Sequence, residues 1–214
     1  MDIQTGAKSK VSRLIAVLAV AISGGIFASR AGAVIITPGT SVVPNGSGVF
    51  SGTIVDNETS TLNSGTFIGS LHSVVYQQSN GWLDFVYQFS NTVVGGDSIE
   101  TLSLSSYNGL TLNADYQAVT NGVAPNKIDR TPFTTASDDT LNYIFNAGVA
   151  PGSMSDLLVV QTTATSFYEG SASAIDTLPA NVPAPMPVPE PATAAIAGFA
   201  MCALGMRRRN AAGK

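Results

Sequence analysis

WLDFVYQFS, residues 82–90, decides the fold class. Leu83, Phe85, Tyr87 and Phe89 occupy alternate positions, with Asp84, Gln88 and Ser90 among the residues between them. Side chains of a strand point alternately to its two faces, so this period of two predicts a strand with an apolar inner face and a polar outer one. Working outward, residues 140–146 repeat the pattern with Leu141, Tyr143 and Phe145 inward. Residues 48–55, 66–76, 99–107, 110–119, 157–163 and 166–168 read as further strands, separated by Gly, Asn, Ser and Asp. Asn108-Gly109 suggests a hairpin between two of them. No amphipathic helical period interrupts the series. Eight or nine strands at this spacing predict an all-β fold, a single antiparallel β-sandwich or jelly-roll-like domain over residues 34–178.

Charge is segregated along the chain. Charged residues are 11% of the 214, less than half of the roughly 25% usual in globular proteins. The formal net charge is −4, yet residues 34–188 hold twelve acids against Lys127 and Arg130, which is −10 for the body. Nucleic acid is therefore not expected as a partner, because phosphate binding needs a basic surface. Cys202 is the only cysteine and His72 the only histidine. A disulfide framework, a Cys-ligated zinc and a His-rich metal site are thereby excluded from the body, and no metal or cofactor is expected.

The two ends read as addresses. Lys8, Lys10 and Arg13 precede an apolar run at residues 14–27, followed by Ala31-Gly32-Ala33. A basic start, a short apolar run and a small-x-small site predict a signal-peptide helix in residues 1–33, cut after Ala33 to leave Val34 as the new terminus. Residues 179–191, PANVPAPMPVPEP, contain six prolines and predict an extended, polyproline-like tether. Residues 192–206 carry no charge and predict a short transmembrane helix. Fifteen helical residues span about 22 Å against about 30 Å of hydrocarbon, so its hold on the bilayer is weak. Arg207, Arg208 and Arg209 open a basic tail, residues 207–214, expected to stay in the cytoplasm while the acidic body lies outside.

Pro189-Glu190-Pro191, the apolar run and the arginine cluster together resemble a PEP-CTERM sorting signal. The resemblance covers residues 188–214 and departs from the usual pattern in a shorter, alanine-rich helix. It implies an exopolysaccharide-producing bacterium of the Gram-negative type. Signal peptidase and an exosortase-type membrane protease would process the protein, with Pro189, Glu190 and Pro191 as the recognition element. The membrane would hold it only transiently in the inner membrane, before the outer surface or the extracellular space. The strand order also resembles, in outline, β-sandwich domains that precede such signals.

Candidate chemistry in the body is sparse. His72 could serve as a general base, but no Gly-x-Ser-x-Gly elbow supplies a nucleophile, so a satisfied strand histidine is the expectation. Asp84, Glu100, Asp138 and Asp139 could in principle supply the carboxylate pair that glycoside hydrolysis needs. Asp56-Asn57-Glu58 and Asp138-Asp139 are the best oxygen clusters for calcium, and neither has the spacing of a calcium loop. Trp82 could stack on a sugar ring, against the commoner role of core or rim packing. The resulting expectation is a non-enzymatic structural or adhesive protein of the cell surface or exopolysaccharide matrix. A carbohydrate-binding module and a polysaccharide hydrolase or lyase are the alternatives.

Overall fold

A computed structural model describes residues 33–92, 96–131 and 139–188, and these form strands and loops with no helix. The strands are β1 (Val34–Ile36), β2 (Ser41–Val42), β3 (Thr53–Asn63), β4 (Ile68–Gln77), β5 (Leu83–Asn91), β6 (Ile99–Leu104) and β7 (Leu112–Gln117). They continue as β8 (Gly122–Val123), β9 (Lys127–Arg130), β10 (Leu141–Val149), β11 (Met154–Ser155), β12 (Leu157–Thr162), β13 (Phe167–Ile175) and β14 (Pro179–Pro187). One curled sheet runs β1-β7-β12-β5-β4-β3, with β11 beside β12 along β5 and β8 added in parallel to β11. The other runs β14-β13-β6-β10-β9-β2, antiparallel throughout.

The alternation read in β5 sets the core. Leu83, Phe85, Tyr87 and Phe89 are at most 1% exposed, and Leu141, Tyr143 and Phe145 face them from the other sheet. Phe89 and Phe145 meet edge to face at 5.3 Å between centroids. Two of the three fully buried tyrosines, Tyr87 and Tyr143, spend their hydroxyls on the opposite sheet. Tyr87 donates to the Pro185 carbonyl at 2.6 Å, and Tyr143 to the Val159 carbonyl at 2.8 Å. Burial pushes both phenols well above their ordinary value, so they remain donors at any physiological pH.

The two sheets meet along two seams of different chemistry. At one, β1 approaches β2, and Arg130 closes the gap. Its guanidinium donates to both oxygens of Asp139 at 2.8 and 2.6 Å, and to the carbonyls of Ile36 and Tyr107 at 3.0 and 2.9 Å. Both ionic side chains are at most 1% exposed. At the other seam, β3 faces β14.

Several expectations need correction. Residues 48–55 do not form a strand as a unit. Residues 43–50 cross the outer face of the larger sheet as a strap, and β3 begins at Thr53. The strap rests on Asp115, whose carboxylate accepts the N–H groups of Asn45, Gly46 and Ser47. Gly48 is required here, because a Cβ would stand 2.7 Å from the Tyr116 carbonyl. β6 and β7 do not form a hairpin. The Asn108-Gly109 turn carries the chain from one sheet to the other. Residues 179–187 are not a tether. They form β14, so the folded unit continues past residue 178, the expected boundary.

The prolines of β14 show why. A strand turns successive N–H groups to opposite sides, and Pro183, Pro185 and Pro187 all have the parity that faces away from β13. Ala180, Val182, Ala184 and Met186 therefore make the ladder, and they also bury their side chains. Val188 continues that parity by donating to the Ser166 carbonyl at 3.0 Å. Proline excludes a central strand but not an edge strand with this register.

Candidate functional site

The seam between β3 and β14 stays open because the β14 prolines have no N–H to offer β3. Two side-chain hydroxyls bridge to it instead: Ser60 donates to the Pro183 carbonyl at 3.0 Å, and Tyr87 to that of Pro185. Toward the end of β14 the seam widens into a cleft of about 170 Å³, lined by Asp56, Glu58, Phe167, Glu169 and Pro185. Asp56 and Glu58 lie two apart on β3, so they share a face with Cα atoms about 7 Å apart. Glu169 enters from β13, opposite Pro185.

Glu58 is the perturbed group of the cleft. Desolvation raises its pKa above the ordinary carboxylate value, and the charges of Asp56 and Glu169 raise it further. Its Oε1 is buried and accepts no hydrogen bond. A raised folded-state pKa means that the fold binds this proton more tightly than the unfolded chain does. That contribution is fully present below the unfolded pKa near 4.5 and is lost as pH rises through the folded value. Glu58→Gln is expected to flatten the fall of Tm with rising pH above about 4.5, and a variant curve parallel to wild type would refute the assignment.

The residues singled out in the sequence are scattered. Asp56-Asn57-Glu58 is split by strand alternation: Asn57 turns to the other face, where its Oδ1 lies 2.8 Å from His72 Nε2. His72 is thus a partnered strand residue. Asp84 is fully buried rather than on a solvated face, and accepts from Gln78 Nε2. Glu100 is exposed on β6, and Asp139 is engaged by Arg130. Trp82, half-buried, closes the turn before β5: its carbonyl accepts from Gln78 N and its N–H donates to Asn80 Oδ1. Tyr168 is the only exposed aromatic among the described residues, and its hydroxyl contacts Ser106 Oγ at 2.6 Å, so no aromatic row faces solvent. Among the described residues no group of three or more His, Cys, Asp or Glu could hold a metal ion.

Ala33 and Val34 stand at the edge of the fold, with Val34 opposite Ala114 in β7. Ala31, Asp138, Pro189, Glu190, Pro191, Arg207, Arg208 and Arg209 lie outside the described residues, as do both apolar runs. Glu169 and Phe167 were missed because they lie more than 100 residues from Asp56 and no local pattern links them. No family model, no curated protein and no solved structure matches this chain.

Proposed function

We propose that this is an exported protein of the cell surface or the extracellular polysaccharide matrix, with a structural or adhesive and non-enzymatic role. In this reading its two facing sheets form a β-sandwich of jelly-roll-like kind, delivered by a PEP-CTERM sorting signal. One observation carries the reading: the folded unit fits between the two processing signals. β1 begins at Val34, the residue after the expected signal-peptidase cut, and β14 ends at Pro187, two residues before the Pro189-Glu190-Pro191 motif. Both cuts would leave every strand whole. Signal peptidase and an exosortase-type protease are the processing partners, the inner membrane is a transient one, and extracellular polysaccharide is the final environment. The −10 body suits solubility among anionic polymers after release.

Intact mass from cells and medium of the native host tests this. The expected native species starts at Val34 and ends near Pro191, whereas Glu190→Ala stays in membranes with Arg207–Arg209 attached. A native protein that keeps those arginines in the membrane would remove the sorting reading.

A second reading, hydrolysis of a polysaccharide, has one observation in its favour: Glu58, with its raised pKa, beside Asp56 in a cleft. Protonated Glu58 would donate to a leaving oxygen, and Asp56 or Glu169 would be the partner carboxylate. The cleft has room for about one sugar ring. Release of reducing ends from host exopolysaccharide, abolished by Glu58→Gln, would favour it over the first.

A further inference from the structure

We propose that β14 is a latch on the sorting step: its last residues must leave β13 before the Pro189-Glu190-Pro191 motif can be processed. The inference rests on the sorting reading above and adds a conformational requirement to it. All of β14 lies in register with β13, its even-numbered residues bonded to it, and the Val188 N–H is tied to Ser166. The motif therefore begins one residue after the last backbone hydrogen bond among the described residues. Three residues, 189–191, separate Val188 from the apolar run, so Val188 and Ala192 can stand at most about 14 Å apart. Proteases and other peptide-binding clefts take their ligands as extended chain, through main-chain hydrogen bonds on both sides of the central residue. Upstream of Pro189 the inward main-chain groups already belong to β13 and Ser166, and the Pro183 and Pro185 carbonyls to Ser60 and Tyr87 across the seam. A folded domain this close to the bilayer would also block approach from its own side.

The same end of β14 is built to open. Its outward positions at Pro183, Pro185 and Pro187 carry no N–H, so no second ladder secures it. The neighbour of Pro185 across the seam is the acidic cleft, where Asp56, Glu58 and Glu169 repel one another when ionised. Opening needs the bonds of Met186 and Val188 and the Tyr87–Pro185 contact to break, while Ala180, Val182 and Ala184 keep the rest of the strand in place. Processing would then track the population of the frayed end, as cleavage of locally opened states does.

A cross-link tests the latch in the full chain, exported in its host. Odd-numbered pairs of the β13–β14 ladder are the non-hydrogen-bonded ones, with Cα atoms about 4.5 Å apart, within disulfide reach. Glu169→Cys with Pro185→Cys, in a Cys202→Ser background, pins the end of β14. Ser173→Cys with Asn181→Cys pins its start and leaves the end free. The expected result is processing slowed about tenfold or more by the 169–185 bridge, near-normal processing with the 173–181 bridge, and recovery of the first on adding a membrane-permeant thiol reductant. Recovery on reduction shows that the variant folds. Wild-type processing of the oxidised 169–185 protein would overturn the latch while leaving the sorting reading intact. Identical C-termini for wild type and Glu190→Ala would instead remove the sorting reading, and the latch with it.

Discussion

Asp139→Ala is expected to be among the most damaging single substitutions in the folded unit, costing about 3–5 kcal/mol and lowering Tm by roughly 10 °C or more. The reason is the charge it leaves behind. Arg130 is 1% exposed, and among the described residues its guanidinium would keep only the Ile36 and Tyr107 carbonyls as partners. Two dipoles do not neutralise a buried cation, and the strand that carries it closes the seam between the sheets. Removing both charges should cost far less. Arg130→Met combined with Asp139→Leu is expected within about 1–2 kcal/mol of wild type, because both desolvation penalties disappear with the pair. Thermal unfolding of the single and double variants checks this, and a double variant as unstable as Asp139→Ala would sink the argument.

Asp115→Ala is the second large effect, expected at about 3 kcal/mol or more. The carboxylate accepts from the backbone N–H groups of Asn45, Gly46, Ser47 and Tyr116 and from the Ser47 hydroxyl. Its loss would take this acceptor from the Asn45 and Gly46 N–H groups at once, while Ser47 keeps Asn45 Oδ1. Damage should begin locally, because these bonds fasten the strap over residues 43–50. Limited proteolysis of the variant is expected to cut first within the strap, before global unfolding. Initial cutting elsewhere would show that Asp115 serves the sheet rather than the strap.

The long strands were legible where large apolar residues mark them; β3 and β13, poor in such residues, extend well beyond the expected 48–55 and 166–168. β5 and β10 follow the alternation of apolar residues closely, whereas β12 is a short apolar run buried on both faces. β1, β2, β8, β9 and β11 are two to four residues long, and a period of two cannot register in so short a run. The burial of Asp84, Asn113 and Asp115 on the outer face was not legible, because nothing in β5 or β7 announces a strap arriving from residues 43–50. β14 was misread for an instructive reason. Its prolines were counted and their parity was not, although Pro183-Ala184-Pro185-Met186-Pro187 already alternates a ring with a core side chain. Of the cleft, Asp56 and Glu58 were visible as an acidic pair, and their assignment to one face with Asn57 excluded follows from β3 being a strand. Glu169 reaches them only through sheet topology, which sequence spacing does not encode.

The parity of the β14 prolines also bears on self-association. A concentrated protein meets copies of itself constantly, and an unpaired strand edge is where such copies join into aggregates. Here the outward positions of the last strand are mostly rings without N–H groups, and the inward-facing Asp56 and Glu58 of β3 place charge beside them. Another copy's strand could not dock there by backbone pairing without burying carboxylates and leaving its own carbonyls unmatched. The seam beside the end of β14 is thus also one that a crowded neighbour cannot extend.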